Sequence, residues 1–213
     1  MFKLQGAFLR PVGVTEAAAV PQMMKTIGTL DIEPYKINDS MAHPVERMYG
    51  LGTDTIRFIE TTCIMSREFG DMTGKSICEM GSNYGGLALC MLTRWPNITS
   101  YSLVDYPIIQ DFAFHYLTKH GVNTNNISLG EPDEPFDYFI AEYSLTEQRP
   151  MEAMIDMWKS YEPLIKTGGI IRCNIPERDR EMLFINTVRE SFEVSVIEEA
   201  IIRRPNKVLI LKR

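Results

Sequence analysis

From Lys75 onward, short apolar runs alternate with helical stretches, and this alternation restricts the chain to a mostly parallel sheet covered by helices on both faces. SICEMG (76–81) reads as a first strand, and 86–95 as a helix stopped by Pro96. ITSYSLVD (98–105) is a second strand, followed by a helix over 108–120 that Gly121 closes. NISLG (126–130) is a weak third strand and FDYFIAEY (136–143) a strong fourth. A helix over 151–165, a turn at Gly168-Gly169, a fifth strand IIRCNI (170–175) and a helix over 177–190 continue the pattern. The tail reads as two strands turned at Pro205-Asn206. The expected class is therefore α/β: a Rossmann-like, mostly parallel sheet with a terminal antiparallel hairpin.

Residues 1–74 differ in character. Pro11, Pro21 and Pro34, with glycines at 6, 13 and 28, give residues 1–40 no sustained period, so they read as an irregular arm. Such an arm docks on its own domain or on a second copy in a homo-oligomer. Apolar positions between 44 and 69 predict one or two helices, with a break marked by Gly50 and Gly52. Asp71 to Gly74 reads as a turn. The expected organisation is an N-terminal arm and helical cap (1–74) on a nucleotide-type domain (75–213).

The chemistry concentrates where strands hand over to helices. Glu79-Met-Gly81-Ser82-Asn83-Tyr84-Gly85-Gly86 follows the first strand and opens a helix. Glycine permits a sharp turn and close approach of a ligand to the main chain, and asparagine tolerates the left-handed conformation at position 83. The same loop also serves as a plain strand–helix turn. Glu79 sharpens the reading: a carboxylate there attracts the ammonium of a methionine moiety and repels a pyrophosphate. Asp105, 20 residues past Gly85, ends the second strand and can accept both hydroxyls of a ribose, or cap the helix after it. Glu142-Tyr143-Ser144-Leu-Thr-Glu147 follows the fourth strand, where an open α/β sheet presents its ligand. Glu147 is the candidate general base there, or else a cap for the next helix, while Glu142, Tyr143 and Ser144 orient an acceptor. His43, His115 and His120 are alternatives, the last two as surface or packing residues of a helix. Glu131 and Asp133 are the candidate adenine-binding acids after the third strand.

Residues 79–117 resemble the sugar O-methyltransferases in their acid-x-Gly loop, their Tyr-Gly-Gly-Leu-Ala helix start and their Val-Asp-x-Pro after the second strand. FDYFIAEYSLTE (136–147) is similar to that family's Ser-x-x-Glu segment, and the likeness covers about residues 75–213. It implies a class I methyltransferase using S-adenosylmethionine (SAM), with Glu79, Gly81, Asp105 and Tyr106 at the cofactor and Ser144 and Glu147 on the acceptor side. Ser82, Asn83, Tyr84 and Gly85 complete the expected cofactor loop, and Ser144 is expected to reach the cofactor as well. Asn83 replaces the family's central glycine, Glu142 stands where a small or amide residue is usual, and the N-terminal region is short. An NAD(P)-dependent oxidoreductase uses the same loop and Asp105, but Glu79 and the terminal hairpin speak against it. A methyltransferase-like subunit without turnover is a third reading.

A net charge of −6 disfavours a nucleic-acid substrate, and the absence of the DPPY-type motif of amino-methylating DNA enzymes speaks against DNA, so a small polar acceptor is expected. The scattered cysteines (63, 78, 90, 173) contain no CxxC pair, which argues against structural zinc and fits a reducing, cytoplasmic setting; no metal is expected. No run approaches the roughly 20 apolar residues of a membrane span.

Overall fold

The computed structural model describes residues 19–40, 47–175, 177–199 and 206–213. Helices α1 (Val20–Ile27) and α2 (Thr53–Phe69) flank a two-stranded hairpin, β1 (Arg47–Met48) and β2 (Leu51–Gly52). The main run is β3 (Ser76–Met80), α3 (Gly86–Arg94), β4 (Ser100–Val104), α4 (Pro107–Lys119), β5 (Ile127–Leu129), β6 (Phe136–Glu142), α5 (Met151–Tyr161), β7 (Ile165–Cys173) and α6 (Arg178–Arg189). The terminal hairpin follows as β8 (Glu193–Glu199) and β9 (Asn206–Lys212). The main sheet has the order β5-β4-β3-β6-β7-β9-β8. β3, β4, β5, β6 and β7 pair in parallel, and β9 runs antiparallel between β7 and β8. This is the expected Rossmann-like sheet with its terminal hairpin.

Alternation along the strands divides the core. Ile77, Tyr138 and Ile140 face a layer built from α1, α2, α3 and α4, while Cys78, Phe139 and Ala141 face α5 and α6. The chain leaves β3 for β4 and β5 on one side, then crosses to β6 on the other. The topological switch point, where such sheets bind ligands, therefore lies between the carboxyl ends of β3 and β6.

Four local readings change. The arm is not irregular throughout: Val20, Met23 and Ile27 of α1 are buried in the same core as Ile77 and Leu87. Pro21 sits in the first turn of α1, where a missing N–H costs nothing, so the proline taken as a loop marker starts a helix. Residues 1–18 lie outside the described residues. Gly50 and Gly52 do not interrupt a helix. Tyr49 (φ 56°) and Gly50 (φ 79°) make the tight turn between β1 and β2, and Gly52 precedes one continuous α2.

Gly168-Gly169 is not a turn but lies inside β7, paired with Tyr138 and Phe139 on one side and Lys212 and Leu211 on the other. Strand pairing on both edges overrides the local turn preference, and the glycines are needed for closeness. A Cβ on Gly169 would lie 2.0 Å from the Phe139 carbonyl oxygen, and one on Gly168 equally close to that of Leu211. Gly169→Val is therefore expected to yield no soluble folded protein, because the clash is with central backbone. Circular dichroism and soluble yield check this, and wild-type yield and melting would refute it. The helix expected over 151–165 stops at Tyr161, continues as a 3₁₀ turn, Glu162–Leu164, and gives way to β7 at Ile165. The hairpin turn expected at Pro205-Asn206 falls partly outside the described residues.

Candidate functional site

The β3–α3 loop is held in shape by its own backbone. Gly81 (φ 78°), Asn83 (φ 47°) and Gly85 (φ 87°) all adopt left-handed conformations. The Gly81 and Ser82 amides donate to the Val104 carbonyl at 2.7 and 3.3 Å, tying the loop to the end of β4. Asp105 binds the loop a second time: Oδ2 accepts the Asn83 amide at 2.9 Å and Oδ1 accepts the Tyr106 amide at 2.8 Å. Its side chain does not cap α4, whose N-cap residue is Tyr106. The carboxylate is half-buried and retains lone pairs for further donors.

Glu79 lies one residue inside the end of β3 and is 3 % exposed. The Tyr101 hydroxyl donates to its Oε2 at 2.7 Å. Burial raises its pKa to about 8; the Tyr101 bond opposes the rise, and the charges of Glu142 and Asp105 add to it. Ser82 is 2 % exposed, and its Oγ is buried without a hydrogen-bond partner. Tyr84 departs from expectation. Its ring packs edge-on between Phe58 (centroids 6.0 Å) and Tyr116 (5.3 Å), above Gly86, where a Cβ would meet that ring at 2.7 Å. The Tyr84 side chain therefore belongs to the core, and only its main chain remains for a ligand. Tyr106 is 71 % exposed beside Asp105.

On the other side of the switch point, the β6–α5 loop meets the first loop directly. A Cβ on Gly81 would lie 2.2 Å from Ser144 Cβ, and the Ser144 hydroxyl donates to the Met80 carbonyl. Gly81 is thus required both for its φ and for the seat it leaves to Ser144. Tyr143 (φ 69°) turns the chain there, and its hydroxyl accepts a bond from Asn206 Nδ2 at 2.6 Å. Glu147 is exposed, in a turn whose amide donates to the Tyr143 carbonyl at 2.9 Å. Glu131 and Asp133 are exposed after β5. His115 is exposed on α4, and His43 lies outside the described residues.

Glu142 is not free for proton transfer. Oε1 accepts the Thr61 hydroxyl at 2.6 Å and Oε2 accepts Arg172 Nε at 2.9 Å, while the Arg57 guanidinium forms an ion pair with Oε2, its Nε at 3.2 Å without a hydrogen bond. Arg172, fully buried, also contacts Glu60 at 3.0 Å and Thr61 at 3.1 Å, and Arg57 contacts Asp54 at 2.8 Å. Sequence reasoning missed this buried ion network. Two signals were present: an arginine inside the apolar run IIRCNI, and a glutamate among the inward positions of α2. A charge on a buried face implies a buried partner.

Comparison with known proteins adds the fold's identity. No family model matches the chain, and no curated protein matches it in sequence. Solved structures do match. A candidate RNA methyltransferase from Pyrococcus horikoshii aligns with TM-score 0.60 at 13 % identity, over 86 % of this chain and 99 % of that one. An O-methyltransferase family 2 protein from Planctomyces limnophilus, in complex with apigenin, gives 0.56 at 10 %, over 74 % and 58 %. A SAM-dependent methyltransferase from Aquifex aeolicus gives 0.51 at 13 %, over 71 % and 89 %. At such identities the likeness is one of fold: the chain has the Rossmann-like fold of class I methyltransferases.

Proposed function

We propose that this protein is a SAM-dependent methyltransferase that methylates a hydroxyl of a sugar or another small polar metabolite. The observation that carries the reading is the pairing of Glu79 and Asp105 around a loop of left-handed residues at the sheet's switch point. The residues fit an adenosyl cofactor. Asp105 offers lone pairs to a ribose, the buried Ser82 hydroxyl lacks a partner, and the exposed Tyr106 ring offers a stacking face beside Asp105. Glu79 is the anionic partner for the methionine ammonium, and Gly81, Asn83 and Gly85 bring main chain close to it.

The chemistry supplied by the bound cofactor is an electrophilic methyl group on a sulfonium. The chain's own part is to hold the acceptor in line and to take its proton. Glu147, exposed beside the crevice, is the base in this reading, and Tyr143 and Ser144 shape the acceptor side. Glu142, engaged on both oxygens, holds the loop instead of moving a proton. The negative net charge supports a small uncharged acceptor over a polyanion. The antiparallel β8–β9 hairpin supports methyl transfer over nicotinamide chemistry. A cytoplasmic setting fits the four cysteines, none of which is in a disulfide.

Calorimetric titration with SAM, S-adenosylhomocysteine (SAH) and NAD tests the reading. Micromolar binding of both adenosyl ligands, none of NAD, and loss of binding in Glu79→Ala and Asp105→Ala are expected. Folded protein that binds neither adenosyl ligand would overturn the proposal. Where turnover of an acceptor is found, Glu147→Gln is expected to lower kcat by about 100-fold or more, as loss of a general base does. Unchanged binding without any turnover would point to a non-catalytic subunit.

A further inference from the structure

The ion network around Glu142 sits where it has no need to be for packing alone. Burying several charges is rarely the most stable solution, because apolar residues of the same volume often do as well or better. Its position supplies a reason. Arg57 and Thr61 lie on α2, Arg172 on β7, and both groups converge on Glu142, the last residue of β6. The two residues after Glu142 complete the link. Tyr143, with a left-handed backbone and its ring under the Arg57 guanidinium at 5.3 Å, reverses the chain. The Tyr143 amide donates to the Arg172 carbonyl at 2.9 Å, which fixes that reversal to β7. Ser144 is thereby set against Gly81 and bonded to the Met80 carbonyl. A continuous set of polar contacts thus runs from α2 to the loop that carries the Glu79 and Asp105 site.

We infer that Arg57 and Thr61, on an N-terminal helix outside the cofactor loop, are positioning residues for cofactor binding, acting through Glu142, Tyr143 and the Ser144–Gly81 contact. This rests on the methyltransferase reading above. Neither side chain needs to touch the ligand. Their role is to hold Glu142 so that Ser144 stays seated and Gly81 keeps its shape. The helical segment read from sequence as a cap is then part of the cofactor site's support, and the site does not assemble from residues 75–213 alone.

The test measures SAH affinity of the full chain by calorimetry, well below the melting midpoint of every variant. Arg57→Met removes the bridge from α2 to Glu142 and Tyr143 while leaving Arg172 to balance Glu142. Thr61→Val removes a hydroxyl at nearly constant volume. Both are expected to weaken SAH binding, Arg57→Met by about tenfold, in the range of ordinary site-to-site couplings. Arg57→Lys, which keeps the charge, is expected to recover part of that loss. Val188→Ala, a buried truncation in α6 on the opposite face, lowers stability without touching the network and is expected to bind as wild type. Wild-type affinity in Arg57→Met and Thr61→Val would overturn the inference and leave the methyltransferase reading standing. Weakening of Val188→Ala in proportion to its lost stability would also overturn it, since the effect would be purely structural. If wild type itself binds no SAH, the functional reading fails first. Should Arg57→Met not fold, Thr61→Val and Arg57→Lys decide the matter.

Discussion

Arg172→Met is expected to destabilise the protein by about 3–5 kcal/mol, the usual result of removing one partner from a buried ion pair. Arg172 is completely buried and satisfies two carboxylates, Glu60 at 3.0 Å and Glu142 at 2.9 Å, each no more than 5 % exposed. Burial alone lowers the pKa of its guanidinium, and the charges of Glu142 and Glu60 outweigh that, so the residue stays cationic. Methionine fills most of the volume but leaves Glu60 without its cation. Set against a net stability of about 5–15 kcal/mol for a typical domain, that loss is severe. In a chain of this size it corresponds to a drop of roughly 6–20 °C in Tm. Glu60→Gln combined with Arg172→Met is expected to recover part of the loss, because the orphaned charge is then gone. Thermal unfolding by circular dichroism reads both. Arg172→Met melting within about 1 °C of wild type would mean that the network does not hold the structure.

SAH affinity is expected to rise with pH until about pH 8 and then level off. The cause is Glu79, whose pKa burial raises to about 8 in the unliganded protein. At pH 6 its carboxyl is protonated, and a methionine ammonium gains its counter-charge only if that proton leaves. Each unit of pH below the pKa then weakens binding about tenfold, so pH 6 lies roughly 100-fold below the plateau. Stability runs the other way. Between the ordinary pKa of 4.5 and about 8, the folded protein holds a proton that the unfolded chain has released. The Glu79 contribution to stability is therefore full below 4.5 and is lost as pH rises through 8. Glu79→Gln is expected to remove both trends and to bind SAH weakly at every pH. Tyr101→Phe deletes a hydrogen bond that favours the carboxylate, which moves the midpoint of the binding profile upward. A wild-type affinity that stays constant between pH 6 and 8 would refute the assignment of Glu79 to the ammonium.

How much of this was legible beforehand depends on sequence distance. The strands SICEM and FDYFIAE and the proline and glycine ends of α3 and α4 are local features: apolar runs too short for helices, closed by residues that cannot continue them. The loop from Gly81 to Gly85 was also readable, because left-handed conformations limit the residue types that adopt them, whereas the bond from its Asn83 amide to Asp105 was not. Tyr84 was not. Its pattern places it on the loop, but whether its ring turns outward or into the gap above Gly86 depends on Phe58 and Tyr116, supplied by α2 and α4.

The role of Glu142 was hidden for the same reason. A glutamate at the end of a strand looks the same to local reasoning whether it faces an acceptor or a buried arginine. Thr61 is 81 residues from Glu142, and Glu60 is 112 from Arg172. Gly168-Gly169 follows suit: turn chemistry is a local preference, and hydrogen bonds from β6 and β9 on both sides outweigh it. The sequence by itself determined the α/β class, the strand–helix order and the loop that marks the switch point, because each is encoded within a few consecutive residues. Only the tertiary structure decided which carboxylates are held by arginines, because charge pairing in a core is settled by elements that meet only after the chain has folded.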